Sequence, residues 1–323
     1  MNKKNREKIL VTGCAGFIGM HLCKSLLADG FIVIGVDNIN DYYDRQLKIK
    51  RLSLLKSFEN FCFEEVNISN IVKIKKVFNK FNPGKVVNLA AQAGVRFSLV
   101  NPHAYINSNI VGFMNILDCC KSSNVHGLIY ASSSSVYGGN KEIPFSENHN
   151  VDNPISIYAA TKKSNELMAK SYNNLFGLKS TGLRFFTVYG AWGRPDMAYY
   201  IFAEKILQNK KIKVFNYGKM ERDFTYIDDI VYGIRMAIKE NYNCEIFNLG
   251  NDKTVKVLEM VRIIEKNVGK KAKIEYLPMQ LGDVERTHAD INKAKSMISY
   301  DPKTDFEQGF EIFIDWFLKY RPI

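Results

Sequence analysis

The chain has 323 residues, of which 46% are hydrophobic and 24% are charged, an ordinary composition for a globular protein. This length suffices for one large α/β unit with a second lobe, or for two small domains. The composition excludes a disordered or fibrous protein, and no apolar run approaches the roughly 20 residues of a membrane-spanning helix. The net charge of +12 comes from dispersed lysines. Since no basic stripe with interleaved aromatics occurs, we expect an anionic small substrate and neither nucleic acid nor membrane as partner.

The cysteines predict a reducing compartment. The six cysteines include no C-x-x-C pair and have no histidines at ligand spacing, which disfavours both disulfides and a metal site. The basic start, Met1–Lys8, leads into a short apolar run and glycines, which is typical of a first strand and not of a signal peptide. We therefore expect a cytoplasmic protein.

The first half of the chain alternates short apolar runs with amphipathic segments, as βαβ units with a parallel sheet do. Farther on, the pattern is looser, with no linker or repeat, so a second lobe is expected to be woven from later segments. Strands are predicted at Lys8–Thr12, Ile32–Val36, Phe61–Glu65, Lys85–Leu89, Gly127–Ala131, Lys179–Arg184 and Ile246–Leu249. Helices are predicted at 17–29, 44–57, 70–80, 107–122, 157–176, Ala198–Gln208, Val255–Val268 and Phe306–Tyr320.

A glycine-rich turn follows the first predicted strand. Gly13, Gly16 and Gly19 form G-x-x-G-x-x-G at the start of a predicted helix. In such a turn the first glycine permits a tight bend, the second lets backbone amides approach a pyrophosphate, and the third allows close helix packing. The helix N-terminus adds unpaired N–H donors and a positive dipole end. The turn predicts a dinucleotide site.

Asp37, at the end of the second strand, identifies the dinucleotide. A carboxylate at that position accepts the hydroxyls of the adenosine ribose and repels a 2′-phosphate. No arginine follows it directly, so NAD is favoured over NADP.

Tyr158 and Lys162 begin the helix predicted at 157–176. A spacing of four places the phenol and the ammonium one turn apart on one face. A phenol is a poor base at neutral pH, but a neighbouring lysine and a positive nicotinamide would favour the phenolate. The pair alone is more typical of a helix surface than of a catalytic site. Its position after five strands of a nucleotide-binding fold and just after a serine cluster favours a catalytic role.

The serines at 132–135 come just before this helix, at the end of a strand. Four consecutive hydroxyls are poor strand or helix material, which predicts a loop. One of them could hydrogen-bond the reacting hydroxyl while Tyr158 takes its proton.

These motifs together resemble an extended short-chain dehydrogenase/reductase of the NAD-dependent epimerase/dehydratase family, and within it the UDP-glucuronate 4-epimerases. The resemblance spans nearly the whole chain. It implies a Rossmann-like doubly wound parallel sheet with a smaller C-terminal substrate lobe. Residues 1–185, with a later segment at about 223–250, would form the NAD-binding domain, and 186–323 mainly the UDP-sugar lobe. The stretches that carry it are Val11–Gly19, Ala90–Arg96, Ser132–Gly138, Tyr158–Lys162, Arg184–Gly190, Gly193–Met197 and Arg222–Asp229.

The resemblance also assigns residues to roles. Ser133 would be the hydroxyl partner of Tyr158, and Lys162 would also hold the nicotinamide ribose. Arg222 would face the substrate diphosphate. The remaining cofactor residues would be Phe17, Ile18, Asn38, Asn67, Ile68, Ala90 and Ala91. The remaining substrate residues would be Arg96, Ser134, Ser135, Thr187 and Arg194, with Asp283 and Arg286 as further candidates for nucleotide contacts.

Two positions depart from the family pattern. Asn67 stands where an aspartate usually lies beside adenine, which predicts weaker but retained NAD binding. Ala191 replaces a proline, which would loosen the loop that carries Arg194. His21, on the first helix, is expected to be a packing or surface residue.

The implied reaction is a closed redox cycle at C4 of a UDP-sugar. Tyr158 removes the hydroxyl proton as hydride passes to NAD, and the 4-keto sugar turns and receives the hydride on its other face. UDP-glucuronate to UDP-galacturonate is the expected conversion. Ser134 and Ser135 stand where 4,6-dehydratases carry an Asp-Glu pair, which disfavours elimination. Decarboxylation of UDP-glucuronate, 4-epimerisation of a neutral or N-acetylated UDP-hexose, and a non-catalytic dinucleotide sensor stay open. A homodimer through helices 107–122 and 157–176 is expected from resemblance.

Overall fold

The computed structural model describes residues 6–123 and 125–320. Most of the Met1–Lys8 segment lies outside that range. Within it, no helix is long and apolar enough to span a membrane. The same residues contain no cluster of three or more His, Cys, Asp or Glu side chains that could hold a metal ion.

The strands are short and fall into three sheets. Seven parallel strands form the main sheet in the order β10-β6-β5-β4-β1-β2-β3, and two small sheets have the orders β11-β9-β7 and β12-β8. The bounds are β1 Lys8–Thr12, β2 Ile32–Asp37, β3 Phe61–Glu65, β4 Lys85–Asn88, β5 Gly127–Ser133, β6 Ser180–Phe185, β7 Thr187–Tyr189, β8 Lys211–Val214, β9 Glu221–Tyr226, β10 Cys244–Leu249, β11 Thr254–Lys256 and β12 Lys273–Tyr276.

Helices cover the main sheet and build the part of the molecule beyond it. A π-helical segment at Ile106–Val111 and 3₁₀ turns at Ser134–Tyr137 and Asn216–Gly218 complete the secondary structure of the described residues. The helices are α1 Phe17–Ala28, α2 Arg45–Lys56, α3 Ile71–Phe81, α4 Phe97–Val100, α5 Pro102–Tyr105, α6 Gly112–Ser122, α7 Ile157–Phe176, α8 Ala198–Leu207, α9 Ile227–Glu240, α10 Val257–Val268, α11 Asn292–Ile298 and α12 Phe306–Tyr320.

The main sheet is buried on both faces, which explains its continuous apolar runs. In the central strand β1, Ile9, Leu10 and Val11 have no exposed surface. Leu10 is in register with Ile34 of β2 and with Val86 of β4. All seven predicted strands occur in this sheet, and the predicted doubly wound α/β fold is confirmed.

Several predicted bounds were wrong by one or two residues, and two of the differences concern the site. Strand β5 runs two residues past the predicted end and includes Ser132 and Ser133, because parallel pairing with Arg184 and Phe185 of β6 outweighs the low strand propensity of serine. The helix predicted at 107–122 is π-helical at first and becomes α-helical only at Gly112. There, buried Asn109 accepts from the Gln92 N–H at 2.8 Å and donates to Gln92 O at 3.0 Å.

Several elements were not predicted, above all α9 and the strands of the two small sheets. Helix α9 has a buried apolar face and carries Asp228 and Asp229 in its first turn, where acidic groups stabilise the helix dipole. It begins directly after β9, so the chain enters it with no turn residue that would mark the change.

Candidate active site

One cavity of about 770 Å³ follows the carboxyl edge of the main sheet, where ligands of doubly wound folds bind. It joins the turn after β1 to the ends of β2, β4 and β5, to the start of α7 and to residues beyond β6. Of the predicted site residues, the structure brings together around this cavity Gly13, Gly16, Phe17, Ile18, Gly19, Asp37, Asn38, Asn67, Ile68, Ala90, Ala91, Arg96, Ser133, Ser134, Ser135, Tyr158, Lys162, Thr187, Arg194, Arg222 and Asp283.

The turn between β1 and α1, with the first turn of α1, has little space for a side chain at its three glycine positions. Gly13 has a φ of 73°, and a Cβ there would lie 2.8 Å from Ala90 N. A Cβ on Gly19 would lie 2.1 Å from the carbonyl oxygen of Gly13, and one on Gly16 would lie 3.0 Å from it. Helix α1 starts at Phe17 without a side-chain hydrogen bond at its N-terminus. Its first N–H groups are therefore available to an anion, and the turn fits a pyrophosphate.

Asp37 lies beside this turn with a half-buried carboxylate. Its Oδ2 accepts from the Ala15 N–H at 3.1 Å, and its Oδ1 accepts from the Ile39 N–H at 2.9 Å. Burial raises the pKa of the carboxyl, whereas the Ile39 hydrogen bond and the nearby Lys48 cation act to lower it. Each oxygen keeps a lone pair for a further donor, so the geometry suits two neighbouring ribose hydroxyls.

Asn67 and Ala191, the two residues that depart from the family pattern, both form hydrogen bonds. Asn67 Oδ1 accepts from the N–H of Ser69 at 3.0 Å and from its hydroxyl at 2.9 Å. The carbonyl oxygen of Ala191 is 2.9 Å from His21 Nε2, which must carry the proton there because a carbonyl only accepts. The loop at Ala191 is thus anchored to α1 by His21, which also packs edge-on against Phe17.

Tyr158 and Lys162 lie in the first turns of α7. The hydroxyl of Ser156 begins this helix by accepting from the Ala159 N–H at 3.1 Å. Lys162 Nζ donates to Ala131 O at 2.9 Å and lies 6.0 Å from the centroid of the Tyr158 ring. Burial lowers the pKa of Lys162 to about 8.

The residues of this chain raise the pKa of Tyr158, whereas the sequence predicted that it would be lowered. Burial raises it above the ordinary value of a phenol, while the Ser133 hydroxyl and the Arg194 cation act to lower it. Lys162 was expected to provide the lowering charge, but its ammonium is directed to the carbonyl of Ala131. In this chain, Ser133 and Arg194 oppose the effect of burial on the pKa of Tyr158 but do not outweigh it.

The serines at the end of β5 point to opposite sides, as consecutive strand residues do. Ser132 Oγ donates to Glu166 Oε1 at 2.6 Å in the buried core. Ser133 Oγ donates to Ser135 Oγ at 3.1 Å and accepts from the Ser135 N–H at 3.1 Å. Ser133, Ser134 and Ser135 line the cavity, and no carboxylate follows Ser133.

Arg194 lies across the cavity and is paired with Asp196. Arg194 Nε donates to Asp196 Oδ1 at 3.0 Å, and Asp196 Oδ2 accepts from the Tyr42 hydroxyl at 3.2 Å. Burial acts to raise the pKa of Asp196, but Arg194 holds it below its ordinary value. Sequence reasoning missed Asp196 and Tyr42. Asp196 lies in the quoted Gly193–Met197 motif, two residues from Arg194, whereas Tyr42 has no sequence signal.

A second basic group lies at the other end of the cavity. Arg96 Nη2 is 3.1 Å from Asp283 Oδ2, and its guanidinium lies 5.0 Å from the centroid of the Phe215 ring. Arg222 donates to the carbonyl oxygens of Val284 at 2.8 Å and Glu285 at 3.1 Å. Burial lowers the pKa of Arg222, which Asp283 partly offsets.

Arg286, the last candidate for nucleotide contacts, lies outside the cavity in this structure. Its Nε forms an ion pair with Glu221 Oε2 at 3.1 Å, and its Nη2 is 3.4 Å from Thr254 Oγ1. It is not among the residues that line the cavity. The side chain instead braces β9 against β11.

The comparisons with known proteins agree with this geometry. The model of the NAD dependent epimerase/dehydratase family matches residues 9–250. An uncharacterised protein of Methanocaldococcus jannaschii is 53% identical, with 97% of each chain covered. UDP-glucuronate 4-epimerase 4 of Arabidopsis thaliana is 46% identical over 98% of this chain and 76% of its own. The structure of UDP-glucuronic acid 4-epimerase from Bacillus cereus, with UDP-glucuronic acid and NAD, is 35% identical and has a TM-score of 0.92, covering 97% of this chain and 99% of the other.

The fold and the cavity define an NAD-dependent enzyme of the extended short-chain dehydrogenase/reductase type. The chain belongs to the NAD-dependent epimerase/dehydratase family. The predicted family, the NAD cofactor and the enzyme class, an epimerase and therefore an isomerase, are confirmed.

Proposed function

We propose that this enzyme interconverts UDP-glucuronate and UDP-galacturonate through a 4-keto sugar. The proposal rests on one observation: Tyr158, Ser133 and Arg194 line the same cavity as the glycine-rich turn. A phenol, a hydroxyl and a cation are what a proton transfer next to an anionic sugar requires.

The chemistry follows from these groups. NAD, held by the glycine-rich turn and Asp37, would supply a hydride acceptor and donor for C4. Tyr158 takes the proton of the C4 hydroxyl as that hydride leaves and gives it back after the sugar has turned, so protons and electrons balance over the cycle. Ser133 holds the reacting oxygen. Lys162, fixed by the Ala131 carbonyl, keeps the first turns of α7 in place and would reach the nicotinamide ribose.

The cofactor residues divide by part of the dinucleotide. Asp37 and Asn38 would take the adenosine ribose, Asn67 and Ile68 would contact the adenine, and Ala90 and Ala91 would lie along the nicotinamide half. The pyrophosphate would lie on Gly13, Gly16, Phe17, Ile18 and Gly19. In this division residues 1–185, with about 223–250, form the NAD-binding domain and 186–323 mainly the UDP-sugar lobe. The membership of β10 in the main sheet supports it.

The basic end of the cavity supports a sugar nucleotide. Arg222 and Arg96 would meet the diphosphate, and Asp283 would help to hold Arg96 and contact the nucleotide. Thr187, Ser134 and Ser135 would surround the sugar opposite Arg194. A sugar carboxylate there would be bound by the Arg194 guanidinium, which Asp196 holds in place, and hydroxyl donors would keep it out of the orientation that releases carbon dioxide.

Incubation of the purified holoenzyme with UDP-glucuronate, with products resolved by chromatography, tests the proposal. UDP-galacturonate as the product is expected. UDP-xylose would favour the decarboxylase. Turnover of UDP-glucose or UDP-N-acetylglucosamine, with none of UDP-glucuronate, would favour a neutral-sugar epimerase, and no turnover of any UDP-sugar would favour the dinucleotide sensor.

A homodimer through α6 and α7 is supported by their exposed apolar side chains. The Tyr172 hydroxyl donates to Met114 Sδ at 3.3 Å, so the two helices lie side by side. Leu167 and Leu175 of α7 and Val111, just before α6, are exposed, Leu175 by 71%. Light scattering should give twice the chain mass, and Leu175→Lys should lower the measured mass.

The six free cysteines support a reducing, cytoplasmic location.

A further inference from the structure

The loop at 191–193 is bound to the cofactor half of the molecule through three consecutive carbonyl oxygens. Ala191 O accepts from His21 of α1 at 2.9 Å. Trp192 O accepts from Arg51 of α2, from Nη2 at 2.6 Å and from Nε at 3.1 Å, and Gly193 O accepts from the same Nη2 at 2.9 Å. Arg194, which faces the cavity, comes next in the chain.

Arg51 also contacts the turn that shapes the cofactor site. Its Nη1 donates to Ala15 O at 3.2 Å and to the Tyr43 hydroxyl at 2.7 Å. Ala15 is the residue whose N–H donates to Asp37. One guanidinium therefore joins the glycine-rich turn to the loop that carries Arg194.

The loop itself needs this restraint. Trp192 has a φ of 61°, a conformation that is costly for any residue with a Cβ. A Cβ on Gly193 would lie 2.3 Å from the Tyr199 hydroxyl, so Gly193 itself packs closely against α8. Hydrogen bonds to both carbonyls hold the peptide planes of this strained turn, and the direction of Arg194 follows from those planes.

The chemistry of Arg51 suits a residue that holds two loops together. Arg51 has no exposed surface, and its hydrogen-bond partners in the described part of the chain are three carbonyls and a phenol. Burying a guanidinium without a carboxylate partner is costly, so a neutral residue would serve better if only packing were needed. A guanidinium has donors in a rigid planar fork and can serve carbonyls on two loops, which an ammonium on a flexible stem cannot do.

We propose that Arg51 is a positioning residue for the sugar site: it fixes the carbonyls of Trp192 and Gly193 to the cofactor turn and thereby sets the place of Arg194. This inference rests on the proposed function, in which Arg194 faces the sugar carboxylate. Arg51 itself does not line the cavity and touches no reacting atom.

The test compares two ligands of the holoenzyme. For Arg51→Lys we expect the KM for UDP-glucuronate to rise about tenfold or more while the inhibition constant for UDP, which lacks the sugar, stays within about twofold. The NAD content of the purified protein should not change. Arg45→Lys, on the exposed start of the same helix, is the control and should match the wild type in all three.

Each other outcome overturns the inference. An unchanged KM would show that Arg51 does not set the sugar site, and an equal loss for UDP-glucuronate and UDP, or loss of NAD, would show a general structural role. If Arg51→Lys does not fold, His21→Leu, which removes the donor to Ala191 O, replaces it and should give a smaller shift in the same direction. Failure of the proposed function is seen separately, since the wild type would then not convert UDP-glucuronate; the comparison with UDP is then made with the UDP-sugar that it does convert.

Discussion

Ser132 Oγ donates to Glu166 Oε1 at 2.6 Å, and this hydrogen bond ties the strand that carries Ser133 to the helix that carries Tyr158. Glu166 lies one turn beyond Lys162 on α7. Both its oxygens also accept from Arg184 of β6, each at 2.9 Å. The hydroxyl partner and the base are thus held at a fixed separation by a buried network behind them.

Breaking this network should cost stability. Glu166→Gln leaves Arg184 buried without its counter-charge, and loss of one partner of a buried pair costs about 3–5 kcal/mol. Urea unfolding measures this loss in the free energy of unfolding. In the control, Glu64→Gln removes the exposed pair with Lys80 and should cost about 1 kcal/mol or less. Equal losses in the two variants would contradict the argument.

Removal of the Tyr158 hydroxyl should abolish most turnover and leave cofactor binding intact. Without the proton acceptor, kcat of Tyr158→Phe should fall by about 10²–10⁴. Chromatography of the UDP-sugars measures kcat, and absorbance of the released cofactor measures NAD content. Tyr232→Phe, at an exposed tyrosine of α9, should retain full activity. Retained turnover in Tyr158→Phe would assign the proton transfer to another group.

Asp37 should determine the choice between NAD and NADP. Replacing it with serine removes the charge that repels a 2′-phosphate. Nearby Lys48, which lines the same cavity, would then attract that phosphate. The apparent affinity for NAD should fall and that for NADP should rise, measured by fluorescence titration of protein freed of its cofactor. Asp152→Ser, at an exposed position, is the control, and an unchanged preference in Asp37→Ser would refute the assignment.

His21 should make the protein sensitive to acid. Burial lowers its pKa from 6.5 to about 4. Between these values the unfolded chain takes up a proton that the folded chain does not, so the free energy of unfolding falls as the pH falls from 6.5 to about 4.

His21→Gln keeps an amide donor for Ala191 O but has no titrating ring. Its stability should therefore decline less than that of the wild type when urea unfolding at pH 7 is compared with unfolding at pH 5. His103→Gln serves as the control because His103 is on the short helix α5, away from this contact. Identical declines in wild type and His21→Gln would exclude His21 as the source.

The sequence predicted what depends on local pattern and missed what depends on distant partners. Apolar runs and glycines were sufficient for the main sheet, for the turn at Gly13 and for the carboxylate of Asp37. The spacing of Tyr158 and Lys162 placed them on one helix face, but the direction of Lys162 depends on Ala131, 31 residues earlier. Arg51 contacts residues 141 and 142 positions away, and no pattern on α2 reveals such a contact.

The same limit explains the positions of the serines and of Arg286. The propensity of serine predicted a loop, whereas pairing with β6 extends the strand through Ser133. Arg286 was a candidate for nucleotide contacts, but its side chain pairs with Glu221 on β9, outside the cavity. Both outcomes depend on strands that lie far away in the sequence.

Thr187 should control the fate of the 4-keto sugar. It is the first residue of β7, is half-buried, and lines the cavity together with Ser133 and Arg194. The 4-keto form of glucuronate is a β-keto acid and loses carbon dioxide when its carboxylate turns out of the plane of the carbonyl. A hydroxyl that donates to the carboxylate opposes this rotation, so Thr187→Ala should release UDP-pentose alongside UDP-galacturonate. Thr187→Ser, which keeps the hydroxyl, is the matched control and should give no UDP-pentose. Chromatography with mass detection separates the two products, and an unchanged product ratio in Thr187→Ala would show that other groups restrain the carboxylate.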